Sequence, residues 1–245
     1  MDLIIGKNPV FEALKSGREI NKIWVAEGSQ RGQMQPIIQL AKDMGIMVQY
    51  VPKKKMDQLS ARNHQGVIAQ VAAYRYYDID DLFKKAEERG EAPFFIILDE
   101  LEDPHNLGSI MRTADAVGAH GIIIPKRRAV GLTATVAKAS TGAIEYIPVA
   151  RVTNLARTVD ELKERGIWIF GTDAKGEQDY RQLDGVIPLA LVIGSEGKGM
   201  SRLLRDKCDV LVRLPMIGHV TSLNASVAAS LLMYEVYRKR HPLGE

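Results

Sequence analysis

Stretches of continuous apolar residues recur along the C-terminal two thirds of the chain and alternate with amphipathic stretches. The clearest are residues 94–98 (FFIIL), 121–125 (GIIIP) and 189–193 (LALVI). Strands that are apolar at every position are typical of a parallel sheet whose two faces are both covered by helices. The pattern therefore predicts an α/β domain over residues 94–245, built on a parallel sheet.

Residues 1–75 show the same alternation on a smaller scale and predict a second, small α/β domain. Asn8 is the expected N-cap of its first helix, and Gly17 is the expected stop. The strands are predicted at 21–27, 46–51 and 66–74, and the later helices at 33–45 and 53–60. The spacing of Met34, Ile37 and Ala41 matches one face of a helix.

Residues 76–93 separate the two blocks and are interpreted as a linker. They are acidic and largely polar, contain one predicted short helix and end at Pro93. Residues 76–105 carry 3 Lys/Arg against 10 Asp/Glu, whereas 1–75 and 106–245 each carry a net +5. Two basic blocks around an acidic connector favour a nucleic-acid partner, with a chance distribution of surface charge as the alternative.

Composition narrows the class of protein. The 245 residues are 46% apolar and 26% charged, which excludes disordered and collagen-like chains. The single cysteine, Cys208, cannot form an internal disulfide, so it indicates a reducing compartment and excludes a cysteine-based zinc site. The N-terminus does not resemble a signal peptide, and every apolar stretch falls short of the roughly 18 residues of a membrane span. We expect a cytoplasmic protein without a membrane partner.

Candidate chemistry lies in loops, because parallel sheets bind ligands beyond the carboxyl ends of their strands. The loop at 171–178 has the GxxxxG spacing of a phosphate loop, but Glu177 and Gln178 replace the required Lys and Ser/Thr. A nucleoside triphosphate site is therefore not expected. The scattered histidines lack metal-ligand spacing, so no metal is expected either.

Two further loops are better candidates for a ligand site. In 193–201 (IGSEGKGMS) the glycines permit close backbone approach and positive φ, and the carboxylate of Glu196 would repel a pyrophosphate. In 214–230, Ser222 offers an N-cap to the closing helix, with Asn224 in its first turn. A structural turn in the first loop, and simple helix capping by Thr221 or Ser222 in the second, are the alternatives.

A fourth segment begins a helix near Asn106, after the turn residues Asp103 and Pro104. Arg112 follows about two turns later, where it either forms an i,i+3 ion pair with Asp115 or serves a site. Elsewhere, Lys53–Lys55 form either a solvated helix face or a set of phosphate contacts.

Three segments, taken in order, resemble the motifs of the SpoU/TrmH-type RNA ribose 2′-O-methyltransferases of the SPOUT superfamily. They are DPHNLGSIMRTADAVGA (103–119), LALVIGSEGKGMS (189–201) and LPMIGHVTSLNASVAAS (214–230). The N-terminal block, opening with IIGKNPVFEAL, looks like the L30e-like RNA substrate-binding domain of some members. Within the family, the sequence resembles bacterial enzymes that methylate a guanosine of 23S ribosomal RNA.

The resemblance implies a C-terminal domain with a deep trefoil knot that binds S-adenosyl-L-methionine in its knotted loops. It also implies a homodimer acting on 23S ribosomal RNA or a pre-ribosomal particle, without a metal. The catalytic positions of the family fall on Asn106, Arg112, Glu196, Ser222 and Asn224. Its cofactor contacts fall on Gly171, Thr172, Gly194, Gly197, Leu214, Met216, Ile217 and Leu223.

The role of Arg112 stays open between two chemistries. A ribose 2′-hydroxyl must be positioned in line with the methyl group and must lose its proton. The family proposal makes the arginine the base, although a guanidinium does not normally deprotonate in proteins. We favour a clamp on the phosphate beside the target ribose, with Asn106 and Ser222 or Asn224 positioning the hydroxyl. A tRNA ribose 2′-O-methyltransferase and a non-catalytic ribosome-assembly protein are the competing functions.

Overall fold

The protein is described by a computed structural model over residues 3–15, 18–29, 31–61, 63–71 and 74–244. The chain divides into two compact units. The first contains Met1–Arg75 and Gly131–Ala134, and the second contains Tyr76–Val130 and Thr135–Glu245.

The first unit is a four-stranded sheet with three helices. Its elements are β1 (Leu3–Ile5), α1 (Lys7–Lys15), β2 (Ile20–Ala26), α2 (Arg31–Asp43), β3 (Met47–Val51), α3 (Lys53–Leu59) and β4 (Val67–Val71). The strand order is β1-β4-β2-β3, with β2 parallel to β3 and antiparallel to β4. The predicted apolar face of α2 packs into the core through Met34, Ile37 and Ala41.

For this unit one prediction needs correction, one strand was not predicted, and one prediction cannot be compared. Strand β1 was not predicted, because three residues are too few to show a pattern. Asn8 does not cap α1 but lies inside it, since the helix begins at Lys7 directly after Gly6, which has a φ of +98°. The predicted stop at Gly17 lies outside the described residues.

The second unit is built on a seven-stranded sheet in which every neighbouring pair is parallel, as predicted. Its strand order is β7-β6-β5-β10-β8-β11-β9. The strands are β5 (Phe94–Leu98), β6 (Gly121–Pro125), β7 (Val149–Val152), β8 (Trp168–Thr172), β9 (Gln178–Asp179), β10 (Leu189–Ile193) and β11 (Val210–Arg213). The helices are α4 (Ile79–Arg89), α5 (Pro104–Ala116), α6 (Ala134–Ala139), α7 (Leu155–Glu164), α8 (Arg202–Lys207) and α9 (Ala225–Arg240).

The apolar strands form the centre of this sheet. Every residue of the adjacent strands β5 and β10 is buried. On one face, Phe95 and Ile97 share a core with Val159 and Leu162 of α7. The strand order places β10 between β5 and β8. The trefoil knot that the resemblance implies stays a prediction.

The segment 76–93 is part of the second unit, so its interpretation as a linker was wrong. It forms α4, whose Leu82 and Phe83 join the core beneath the sheet. Its acidic residues mark the start of that helix, where the backbone N–H of Asp78 donates to Asp81 at 3.0 Å. Carboxylates are favoured at a helix N-terminus, and this explains an acidic composition that resembles a connector.

Within the described ranges, no helix has both the length and the apolar character needed to cross a membrane. The same residues hold no group of three or more His, Cys, Asp or Glu side chains placed to bind a metal ion.

Candidate active site

The candidate loops of the second unit meet at one cavity beyond the carboxyl ends of β8, β10 and β11. This loop cavity has a volume of about 620 Å³. It is lined by residues of 172–175, 193–200 and 214–223, and by the start of α9. Ligands are expected at this edge of a parallel sheet.

Glycines shape the middle loop of the cavity, residues 193–201, which is the glycine loop. A Cβ added to Gly194 would lie 2.2 Å from the carbonyl carbon of Gly199, so only glycine fits there. The backbones of Ser195 and Gly199 exchange hydrogen bonds of 3.1 and 2.9 Å, and Gly197 turns the chain between them with a φ of +80°. The close approach and positive φ expected from the sequence are therefore both present.

Most residues predicted to contact the cofactor line this cavity. They are Thr172, Gly194, Gly197, Leu214, Met216 and Leu223. Gly171 and Ile217 do not line it. Gly171 is buried in β8, where an added Cβ would lie 2.6 Å from the sulfur of Cys208, and the side chain of Ile217 is fully exposed.

The loop cavity fits a molecule such as S-adenosylmethionine. Its volume lies within the range of about 300–1,000 Å³ that is usual for cofactor sites. Leu214, Met216 and Leu223 offer apolar surface for a purine, while the glycine loop exposes backbone groups to a polar ligand. Asp173 and Arg205 form an ion pair of 3.2 Å among its lining residues.

A polar cluster brings together three of the predicted catalytic residues. The side-chain N–H of Asn106 donates to Glu196 Oε1 at 2.9 Å, and that of Asn224 donates to Asn106 Oδ1 at 3.0 Å. Asn224 Nδ2 also donates to Glu196 Oε1, as does the backbone N–H of Ala225 at 3.2 Å. This asparagine–glutamate cluster joins α5, the glycine loop and α9.

The first turn of α9 explains why the cluster forms. Asn224, rather than Ser222, is the N-cap, because its Oδ1 accepts the backbone N–H of Ser226 at 3.0 Å and of Val227 at 3.3 Å. The carboxylate of Glu196 lies against the same helix N-terminus, where negative charge is favoured. Ser222 lines the loop cavity and is not part of the cluster.

A second, smaller cavity borders the cluster. This acidic cavity, of about 270 Å³, is lined by Glu100–Asp103, Asn106, Ser195, Glu196 and Lys198. Ser195, Glu196 and Lys198 also line the loop cavity. Glu196 of the cluster therefore borders both cavities, and Asn106 borders the acidic cavity.

Arg112 is not brought to either cavity. Its side chain is exposed, and it has no hydrogen bond or ion pair with any residue that the structure describes, so the alternative ion pair with Asp115 is not formed. It lies on α5 beside α9, where the neighbouring Thr113 contacts Ser230 at 3.0 Å. Within a single chain, the asparagine–glutamate cluster therefore forms without the predicted catalytic residue Arg112.

Asp99 supports the site and was not predicted from the sequence. This carboxylate is 5% exposed and accepts the backbone N–H of Ser201 at 2.7 Å, while its own N–H donates to Ile193 at 2.9 Å. It therefore anchors the far end of the glycine loop to β5. The available signal was a charged residue directly after the fully apolar strand 94–98, at the edge of the sheet where ligands bind.

Cys208 cannot supply a nucleophile. Burial, reinforced by the charge of Asp209, raises the pKa of its thiol to about 12. Its sulfur donates to the carbonyl of Leu204 at 3.2 Å. It therefore stays protonated at neutral pH and serves packing next to Gly171.

Comparison with known proteins relates both parts of the chain to RNA methylation. Residues 93–234 match the SpoU rRNA methylase family, and residues 3–77 match the family of RNA 2′-O ribose methyltransferase substrate-binding domains. YacO of Bacillus subtilis, assigned by name to the TrmH family of tRNA/rRNA methyltransferases, is 71% identical over 244 residues. That alignment covers 100% of this chain and 98% of the relative.

Two solved structures share the fold and carry the cofactor. The SpoU methyltransferase AviRb of Streptomyces viridochromogenes, in complex with AdoMet, has a TM-score of 0.62 and 28% identity, covering 97% of this chain and 90% of its own. An AdoMet-bound rRNA methyltransferase of Sinorhizobium meliloti has a TM-score of 0.61 and 29% identity, covering 99% and 88%. These likenesses extend over both units of the chain.

Proposed function

Since the chain belongs to the SpoU/TrmH family of S-adenosylmethionine-dependent RNA methyltransferases, we propose that it methylates the ribose 2′-hydroxyl of a guanosine in 23S ribosomal RNA. The observation that carries the proposal is the asparagine–glutamate cluster, whose Glu196 lines both the loop cavity and the acidic cavity. A cofactor on one side and a ribose on the other would meet at these three side chains.

The loop cavity would hold the cofactor through the glycine loop, Thr172 and the apolar residues of 214–223. S-adenosylmethionine, when bound, supplies a methyl group on a positively charged sulfur. Gly194 permits the tight hairpin, and Asp99 fixes the end of the loop. Such preorganisation limits the ordering that binding itself requires.

The cluster would position the attacking hydroxyl. One oxygen of Glu196 is held by the three donors from Asn106, Asn224 and Ala225. Its second oxygen has no partner among the residues that the structure describes, so it remains able to accept the hydrogen of a 2′-hydroxyl. A fixed acceptor orients the oxygen lone pair for in-line attack, which favours methyl transfer.

A homodimer would complete the site with Arg112. Val227, Leu231 and Tyr234 lie at i, i+4 and i+7 of α9 and are 47%, 43% and 52% exposed. An apolar stripe of this kind is typical of a helix face covered by a partner, and two-fold symmetry would pair it with itself. Because α5 lies beside α9, such a dimer would carry Arg112 toward the partner's cluster, where it would clamp the phosphate beside the target ribose.

The first unit would bind the RNA. The protein would act in the cytoplasm, where ribosomal RNA is assembled into ribosomes. Lys53, Lys54 and Lys55 are exposed on α3, and Lys53 also lines a cavity of about 700 Å³ with Lys7 and His64. Lysines in this arrangement suit phosphate contacts, which contribute affinity without reading sequence.

The test is a map of 2′-O-methylated riboses in ribosomal and transfer RNA from a strain that lacks the protein. We expect one methylated guanosine of 23S ribosomal RNA to disappear, and to return with the wild-type gene but not with Asn106→Ala. Loss of a tRNA site instead would establish the tRNA alternative. An unchanged map, together with absent cofactor binding, would favour a non-catalytic RNA-binding protein.

A further inference from the structure

An ion pair joins two loops at the rim of the acidic cavity. Arg128 Nη1 lies 2.8 Å from Glu100 Oε1, which connects the loop after β6 to the loop after β5. The backbone N–H of Val130 donates to the carbonyl of Leu101 at 2.9 Å and holds the same two loops together. Glu100 lines the acidic cavity with Asn106 and Glu196, so the ion pair borders the proposed reaction site.

Both partners of this ion pair have unusual backbone conformations. Glu100 has a φ of +55° and Arg128 a φ of +54°, and only two other non-glycine residues with positive φ occur in the described part of the chain. Left-handed conformations are unfavourable for such residues and persist where the surrounding structure imposes them. Such conformations are concentrated at ligand-binding and switching sites. The Glu100–Arg128 pair is therefore a candidate part of a ligand-binding site or of a switch.

The charges around the acidic cavity require a cation when RNA approaches. Four carboxylates, those of Glu100, Glu102, Asp103 and Glu196, line it against one cation, Lys198, so the cavity would repel the RNA backbone. The side chain of Arg128 is 75% exposed, and its neighbour Arg127 is also exposed. The Glu100 side chain is 28% exposed, but because the guanidinium of Arg128 is open to solvent, the ion pair contributes little to stability and Arg128 can exchange its partner.

We propose that Arg128 exchanges Glu100 for a phosphate of the RNA substrate when the target nucleotide enters the acidic cavity. This inference rests on the proposed function as an RNA methyltransferase. A guanidinium binds a phosphate through two parallel hydrogen bonds, which compensates for the lost contact with Glu100. In the free protein, Glu100 neutralises Arg128 and thereby competes with RNA.

The sign of one substitution tests this exchange. The measured quantity is the affinity for unmodified, transcribed 23S ribosomal RNA and for an unmodified tRNA transcript, over about 50–200 mM salt. Arg128→Ala should weaken binding about tenfold and reduce the salt slope by about one. Glu100→Gln should tighten binding several-fold, because it removes the competing charge. Removing the charge of Glu100 also reduces repulsion of the RNA when Arg128 is absent, so the test is the difference: Glu100→Gln should tighten binding more when Arg128 is present than in the Arg128→Ala background.

A purely structural ion pair predicts the opposite sign. If the pair only holds the two loops together, Glu100→Gln weakens binding or leaves it unchanged, and either result overturns the exchange. Lys84→Ala and Glu88→Gln are the matched controls, because these residues form an exposed pair on α4. Calorimetric affinity for S-adenosylmethionine should be unchanged in every variant.

Failure of this inference can be separated from failure of the proposed function. A wild-type protein that binds RNA, combined with a Glu100→Gln variant that binds no more tightly, contradicts the exchange alone. A wild-type protein that binds neither RNA contradicts both.

Discussion

The side-chain amide of Asn224 donates a hydrogen bond of 3.0 Å to the side-chain oxygen of Asn106, a residue 118 positions earlier in the chain. The same asparagine caps α9 through its Oδ1. One side chain therefore has two separable tasks: its oxygen caps the start of the helix, and its N–H groups complete the cluster with Glu196.

Substitutions at Asn224 should separate these tasks. Serine is as good an N-cap as asparagine but lacks an amide donor, so Asn224→Ser should retain stability and lose most methylation. Asn224→Ala should lose methylation and about 1–2 kcal/mol of unfolding free energy. Urea unfolding and transfer of labelled methyl groups to unmodified RNA measure the two effects.

Asn154 provides the matched control, because it caps α7 by accepting the backbone N–H of Arg157 at 3.1 Å. Asn154→Ala should lower stability by a similar amount and leave the methylation rate unchanged. Full activity in Asn224→Ser would remove the amide from the proposed mechanism.

Gly194 should be intolerant of any side chain. Its added Cβ would collide with the backbone of Gly199 and open the hairpin that lines the loop cavity. Gly194→Val should abolish S-adenosylmethionine binding in calorimetry, and Gly194→Ala should weaken it. Gly32→Ala is the control, because nothing lies within 4 Å of a Cβ at that position. Unchanged affinity in a folded Gly194→Val variant would exclude the glycine loop from the cofactor site.

Buried His120 should make stability sensitive to acid. The backbone N–H of Phe94 donates to its Nδ1 at 3.0 Å, so Nε2 carries the proton and donates to Glu91 at 2.9 Å. Burial is the main cause that lowers the pKa of His120, against the opposing effect of Glu91. The unfolded chain then binds the proton at higher pH than the folded chain, so unfolding free energy should fall as pH drops below about 6.5.

His120→Asn keeps an acceptor near the Nδ1 position and removes the titration. Urea unfolding between about pH 7 and pH 5 should therefore show a shallower decline for this variant than for the wild type. Parallel declines would show that other groups cause the acid sensitivity.

Arg112 should act through charge and hydrogen-bond geometry. Arg112→Lys keeps the charge but loses the planar fork, so it should retain a measurable fraction of the methylation rate. Arg112→Ala should lose on the order of 10²-fold, with S-adenosylmethionine affinity unchanged. If Arg112 acts as a phosphate clamp, its substitution by alanine should lower the methylation rate at every pH without changing the shape of the pH–rate profile. A lysine variant as inactive as alanine, with loss of a rising limb in alanine, would instead indicate the base role.

Mixed dimers test whether Arg112 serves the partner's cluster. Inactive Arg112→Ala and Asn224→Ala subunits, once exchanged, should regain about a quarter of the wild-type rate, because half of the dimers then hold one intact site of two. No recovery after confirmed subunit exchange would contradict a shared site.

Local patterns in the sequence were sufficient for most of the fold. The apolar runs at 94–98 and 189–193 became the buried, adjacent strands β5 and β10. The error at 76–93 arose because the acidic first turn of α4 resembles a polar connector, while only Leu82, Phe83 and Ala86 reveal its buried face.

The site was harder to predict, because its contacts depend on distant parts of the chain. The motifs located Asn106, Glu196 and Asn224, which do form one cluster. They could not show that Asn224 rather than Ser222 caps α9, since both residues are good caps. Asp99 and the Glu100–Arg128 pair depend on loop packing that has no local periodicity.

Methyl transfer to a ribose is tested by nucleoside analysis of the methylated RNA. Unmodified 23S ribosomal RNA would be incubated with the purified protein and methyl-labelled S-adenosylmethionine, then digested to nucleosides and separated. We expect label in 2′-O-methylguanosine alone, and none with Asn106→Ala. Label in a methylated base, or the absence of any labelled nucleoside from a protein that binds the cofactor, would contradict it.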